Sequence, residues 1–148
     1  KEFIQAMVEP GESFGELPLF DNAPYAASAI ANENSLILRL QKERFLQLMQ
    51  QDQSIHFAIS KKMTERLRFR FLLLKILASH SPEYRIRTFL DFLKIEHKHI
   101  CPHCHQIKLT RQQIADLIGL RVETVIRVVR GLHLTGQLQI EKRKIFYR

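Results

Sequence analysis

Cys101-Pro-His-Cys104 is the densest cluster of metal- and redox-capable groups in the sequence. His97, His99, His103 and His105 crowd around it, so six soft or imidazole donors fall within the nine positions 97–105. Two thiolates at C-x-x-C spacing plus two imidazoles can complete a tetrahedral zinc site, and the set expected on that reading is Cys101, Cys104, His99 and His105. The same motif could perform dithiol–disulfide exchange. That chemistry needs the first Cys at a helix N-terminus. Here Gln106–Leu109 reads as a strand and no βαβ frame surrounds the motif, which argues against a dithiol enzyme. Three readings stay open: zinc, a regulatory thiol pair, or an exposed hairpin turn with no ligand.

Glu123 and Arg127 form the second constellation. At i, i+4 they share one helix face, opposite Val125. A plain reading is a helix-stabilising ion pair, worth about 0.2–0.5 kcal/mol. The surrounding elements suggest more. Thr110-Arg111-Gln112-Gln113 is a capping box, with Thr as N-cap and Gln three positions on. Ile114, Ala115, Leu117 and Ile118 supply the buried side of a short helix, and Gly119 supplies a turn. A second helix runs from about Val122 to His133, with Val125, Val129 and Leu132 inward. Two short helices joined through a glycine turn are a helix-turn-helix. After it, Leu138 and Ile140 alternate with polar residues, as do Ile145 and Tyr147, around the charged turn Glu141-Lys142-Arg143-Lys144. That is a β-hairpin with a basic tip, a wing suited to lie against phosphates. Thr110, Arg111, Arg130, Lys142, Arg143 and Lys144 are the candidate phosphate contacts.

The elements in front differ in kind. Residues 1–40 read as short strands with turns at Pro10-Gly11, Gly15 and Asp21–Pro24. There are too few of them to close a barrel, and Lys1 opens inside a strand-like stretch, so the chain reads as part of something longer. Residues 42–50 switch to helical spacing. From Gln53 to Ala78 the sequence predicts one long helix, with Ile55, Ile59, Met63, Leu67, Phe71 and Leu74 as a seam. At about 26 residues it would be about 39 Å long, too long to bury in a domain of this size, so a second copy is the expected cover. His56 on this helix is a candidate ligand, although a lone helical His is more often simply half-buried. Ser81-Pro82-Glu83 starts a further helix.

The net charge of +8 is unevenly spread. Residues 1–52 hold 4 Lys/Arg against 8 Asp/Glu, whereas residues 101–148 hold 9 against 3. Only the back of the chain is therefore suited to a polyanion. No apolar run approaches the ~20 residues of a membrane span and no secretory signal is evident, so the expectation is a cytoplasmic protein with no membrane partner. The fold class expected is α+β. The expected division is residues 1–52 as a partial β-roll, 53–79 as a dimerisation helix and 80–148 as a winged helix-turn-helix.

LTRQQIADLIGLRVETVIRVVRGLHLTGQL (109–138) resembles the DNA-binding domain of the Crp/Fnr family, and PGESFGELPLFDNAPYAASAIA (10–31) resembles that family's cyclic-nucleotide-binding β-roll. The resemblance covers essentially the whole chain. It implies a transcription regulator, not an enzyme, that binds double-stranded DNA as a homodimer and meets RNA polymerase. Val122, Glu123, Ile126 and Arg127 then fall on the base-reading positions. Arg takes guanine bidentately and Glu accepts from cytosine N4–H. The V-E-x-x-x-R form resembles the oxygen- and nitric-oxide-responsive branch, with Ile126 where that branch usually has Ser. In nucleotide-binding members a Gly-Glu pair and an Arg-Ser pair hold the ligand. Gly15-Glu16 is present, whereas the Arg-Ser positions fall on Ala26-Ala27. Without that Arg a buried phosphate stays unpaired, so the expected signal is not cyclic AMP. A redox or nitric oxide signal, haem or another small effector, and zinc at the cysteine cluster are the alternatives.

Overall fold

A computed structural model describes residues 3–78 and 81–147. The start at Lys1 and the expected helix end at residue 79 lie outside the described residues. The chain forms two compact units: Gln5–Arg68, and Phe69–Arg148 together with the first residues up to Ile4. The architecture is α+β.

In the first unit, α1 (Leu17–Asp21) and α2 (Lys42–Gln51) interrupt extended backbone. The structure corrects the expectation of strands over residues 1–40. A strand needs a neighbour to take up its N–H and C=O groups. Among the described residues of this stretch no ladder forms, and its apolar run is left exposed, Leu36 to 93 % and Leu38 to 91 %. Phe45 and Met49 of α2 are buried, and Phe20 packs edge-on to Phe45 with ring centroids 6.0 Å apart.

The long helix α3 (Gln53–Ala78) has the expected extent of 26 residues. α4 (Pro82–Ile95) starts at an N-cap, Ser81, whose side chain accepts from the Tyr84 amide. α5 (Arg111–Ile118) carries the complete capping box: Thr110 Oγ1 accepts from Gln113 N at 3.1 Å, and Gln113 Oε1 accepts from Thr110 N at 2.9 Å. α6 (Val122–Leu134) follows, then β1 (Gln139–Glu141) and β2 (Lys144–Phe146).

The second unit is held by one apolar core. Ile76, Ile86, Phe89, Leu90, Ile114, Ile118, Val125 and Val129 are essentially inaccessible to solvent. Each such side chain contributes about 1.5–3 kcal/mol through burial. Phe69 and Phe92 stack at 5.0 Å between ring centroids. β1 and β2 pair antiparallel, with Ile140 opposite Ile145. A third arm joins them: Ile107 N donates to Ile145 O at 2.8 Å and Tyr147 N donates to His105 O at 3.0 Å. Ile100 bridges Ile107 in turn. The wing is thus the outer part of a small antiparallel sheet that begins in the cysteine turn.

Candidate nucleic-acid interface

Helix α6 is cleanly two-faced. Val125, Val129 and Leu132 are buried against the core. Glu123, Ile126, Arg127 and Arg130 are exposed, and Val122 is half-buried at the first turn. The structure thus brings Val122, Glu123, Ile126 and Arg127 onto the outer, N-terminal part of one helix. Among the described residues Glu123 and Arg127 form no ion pair, so the simple helix-stabilising reading of that pair finds no contact behind it. Gly119 makes the turn between α5 and α6. It is the C-cap of α5 in the left-handed conformation, φ 69° and ψ 27°.

The wing tip is a two-residue turn, tighter than the four-residue charged loop expected. Glu141 and Lys144 sit inside the strands, and Lys142 and Arg143 form the turn at φ 45° and 66°. Two left-handed central residues match the twist of a hairpin. For residues with a Cβ this costs about 1–2 kcal/mol each. Arg111 supports the strained turn: its Nη1 donates to the Arg143 carbonyl at 2.8 Å. Arg111 therefore couples the start of α5 to the wing, a contact across 32 positions that the sequence does not announce. Lys142, Arg143 and Lys144 are exposed beside it, and the Thr110 hydroxyl is committed to its cap.

Sequence reasoning missed the latch at the other end of the wing. Tyr147 Oη donates to Asp91 Oδ1 of α4 at 2.5 Å, and Lys94 lies over the Tyr147 ring, 5.9 Å from its centroid. Burial first, and the Asp91 carboxylate second, push the Tyr147 phenol up to about 12 from its ordinary 10. An unfolded Tyr147 ionises about two pH units before the folded one, so unfolding releases protons in that window. The stability contributed by the neutral phenol is fully present below about pH 10 and lost as the pH rises toward about 12. Tyr147→Phe is expected to cost about 1.5 kcal/mol at neutral pH and to flatten this part of the alkaline decline, read by urea unfolding across the pH range. An unchanged alkaline slope in the variant would remove Tyr147 as its source.

The cysteine cluster does not assemble the expected zinc set. No group of three or more His, Cys, Asp or Glu converges on a common point among the described residues. Cys101 and Cys104 are close, with Cys104 N donating to Cys101 Sγ at 3.3 Å. His99 and His105 adopt left-handed backbone, φ 51° and 57°, on the two arms of the hairpin, and do not join the sulfurs in such a group.

In the first unit Glu16 is engaged by protein groups. Its carboxylate pairs with Arg66 Nη1 of α3 at 2.5 Å and accepts from Ser13 Oγ at 2.6 Å. Desolvation opposes its charge, but Ser13, its own backbone amide and Arg66 together hold the carboxyl below the ordinary range. Gly15 stands against the Tyr25 ring, while Ala26 and Ala27 are exposed. His56 is exposed on α3.

Along the expected seam of α3 the residues differ in exposure. Ile55, Ile59 and Met63 are half-buried. Leu67, Phe71 and Leu74 are exposed at 53 %, 60 % and 62 %. The stripe that stays open steps through Phe57, Ser60, Thr64, Leu67, Phe71 and Leu74, at alternating spacings of three and four. No helix among the described residues is long and apolar enough to cross a membrane.

Two family models match the sequence: a cyclic nucleotide-binding domain over residues 1–52 and bacterial regulatory proteins of the crp family over residues 107–136. The cAMP-activated global transcriptional regulator Vfr of Pseudomonas aeruginosa is 30 % identical over 146 residues, covering 95 % of this chain and 68 % of that protein. The cyclic AMP receptor protein of Thermus thermophilus is 30 % identical over 140 residues, covering 95 % and 62 %. Among solved structures, the c-di-GMP responsive global regulator CLP of Xanthomonas campestris is 24 % identical with a TM-score of 0.66, over 98 % of this chain and 73 % of that one. FixK2 from Bradyrhizobium japonicum is 21 % identical with a TM-score of 0.63, over 74 % and 55 %. The chain spans about two-thirds of the length of these curated relatives.

Proposed function

Because the chain belongs to the Crp/Fnr family of bacterial transcription regulators, we propose that it reads a near-palindromic DNA site as a homodimer, one α6 helix in the major groove of each half-site. The observation that carries this reading is the outer face of α6, where Glu123 and Arg127 stand exposed and unpaired with each other. In that role Arg127 takes guanine and Glu123 accepts from cytosine, while Arg130, Lys142, Arg143 and Lys144 meet phosphates. RNA polymerase is the further partner that such a regulator implies. The test is selection from random DNA, followed by a salt titration on the winning site. A palindrome with a G·C pair in each half-site and a steep loss of affinity with salt are expected. No enrichment at any salt concentration would sink the reading.

The partner copy would cover the open stripe of α3. Heptad-like spacing with Leu67, Phe71 and Leu74 uncovered is the pattern that a twin helix buries. Leu67→Glu places a charge in that seam and is expected to weaken self-association at least tenfold, because a buried unpaired charge is costly. Sedimentation velocity reads the shift to monomer. A variant as dimeric as the parent would move the interface elsewhere.

The signal is proposed to be something other than cyclic AMP. Vfr and the Thermus protein are named for cyclic AMP, but here the positions that would supply an Arg-Ser pair are Ala26 and Ala27, and Glu16 is already paired with Arg66. Calorimetry with cyclic AMP is expected to register no tight binding. Micromolar affinity would overturn this part alone.

A further inference from the structure

The Cys101–Cys104 turn lies outside the reading helix yet is tied to the wing by backbone hydrogen bonds. Both cysteines are free, Cys104 exposed and Cys101 half-buried. The amide of Cys104 donates to Cys101 Sγ at 3.3 Å, so both cysteines sit on one tight turn. The Cys104 thiol first, then the amides of Cys104 and His103, hold the Cys101 thiol below the ordinary range for cysteine, with Lys108 adding to the effect. An accessible thiol of lowered pKa beside a resolving partner is the arrangement that oxidants select.

The turn is coupled outward. Cys101 N donates to Gln106 O at 2.8 Å and His105 N to Cys101 O at 2.9 Å, closing the hairpin. One residue further, His105 O accepts from Tyr147 N at 3.0 Å and Ile107 N donates to Ile145 O at 2.8 Å. The arm leaving the cysteine turn is therefore the neighbour of β2, and β2 carries Lys144 next to the strained Lys142-Arg143 tip. A change at Cys101 acts on the carbonyl that holds His105 and on the amide that holds Gln106, and His105 holds the end of the wing.

We propose that Cys101 and Cys104 are an oxidation site for hydrogen peroxide, and that their intrachain disulfide displaces the wing and weakens DNA binding. The Cys101 thiolate attacks one peroxide oxygen. The S–O bond forms as the O–O bond breaks, and the departing hydroxide takes a proton to become water. Cys104 sulfur then attacks the Cys101 sulfenic acid. The S–S bond forms, the S–O bond breaks, and hydroxide leaves with the Cys104 proton as a second water. The two sulfurs together give up two electrons and the peroxide is reduced to two waters. A small dithiol reverses the change by exchange. A closed tetrahedral zinc site needs four ligands, and among the described residues no third one joins these two sulfurs.

The wing effect rests on the DNA-reading role above, but the oxidation does not. The experiment treats the full chain, under chelator, with one equivalent of hydrogen peroxide. The expected result is loss of both thiols, a peptide spanning residues 101–104 lighter by about 2 Da, and recovery with dithiothreitol. Faster amide exchange over residues 144–147 and about fivefold weaker binding to the selected DNA accompany it, and both are absent from Cys101→Ser and Cys104→Ser. Both cysteines lie on a surface turn, so these variants fold. Interchain disulfides or sulfinic acid as the main product would overturn the proposal. So would thiols protected by stoichiometric zinc before chelation, or an intrachain disulfide that leaves exchange in β2 unchanged. If the reduced protein bound no DNA, the mass and exchange measurements would still decide this proposal, and the DNA-reading role would be the one to fall.

Discussion

Arg127→Ala is expected to weaken binding to the preferred site by about 10- to 100-fold per half-site and to relax the preference at one base pair in each half. A bidentate Arg–guanine contact is worth about 1–3 kcal/mol of discrimination. Arg127 is exposed on α6 without an ion-pair partner among the described residues, so its truncation should leave stability within about 0.5 kcal/mol of the parent. The loss is therefore a recognition loss. Lys142→Ala is the contrasting control. Lys142 is exposed at the wing tip, and a phosphate contact weakens all sequences alike and lowers the salt slope by about one. The measurement is a repeat of the site selection with each variant, plus binding titrations at several salt concentrations. If Arg127→Ala kept the same preferred base pair, Arg127 would be a positioning contact and the assignment of the reading face would be wrong.

The parts of this molecule that were legible in its sequence are those whose causes are local. The capping box needs only Thr110 and Gln113, three positions apart, and both of its hydrogen bonds form. Gly119, the two-faced pattern of α6 and the alternation on either side of Lys142-Arg143 are equally local, and each element stands where expected. Strand formation over residues 1–40 depends on distant partners, so alternation and apolar runs there did not suffice. α3 carries apolar residues on several faces, and spacing alone cannot tell which face its own unit covers. Ile55 and Met63 are half-buried while Phe57 and Leu67 are exposed. The Arg111–Arg143 and Tyr147–Asp91 contacts join positions 32 and 56 apart, a separation at which single-sequence patterns carry no pairing information.

Gly119→Val is expected to destabilise the helix-turn-helix unit by about 3 kcal/mol, from two separable causes. The first is backbone conformation. At φ 69° a side chain crowds the following carbonyl, at a cost of about 1–2 kcal/mol, and a β-branched residue fits least well. The second is packing. A Cβ at Gly119 would lie 2.7 Å from Cδ2 of the half-buried Leu77, so the leucine side chain must shift, which costs a further ~1–2 kcal/mol. Gly119→Ala and Gly136→Ala separate the two. Gly136 has φ 74° but nothing within 4 Å of its would-be Cβ, so it carries the conformational cost without the crowding. Gly131 sits inside α6 with open space at its Cβ position and no left-handed backbone, and Gly131→Ala should stabilise by about 0.5–1 kcal/mol. Urea unfolding of the four variants is expected to rank them Gly119→Val, Gly119→Ala, Gly136→Ala, Gly131→Ala, from least to most stable. Because Gly119 also fixes the angle at which α6 leaves α5, its variants should lose DNA affinity beyond what their folded fraction explains, whereas Gly131→Ala should not. Equal costs at positions 119 and 136 would mean that Leu77 yields freely, and the tight approach of α3 to this turn would then have no part in holding the recognition helix in place.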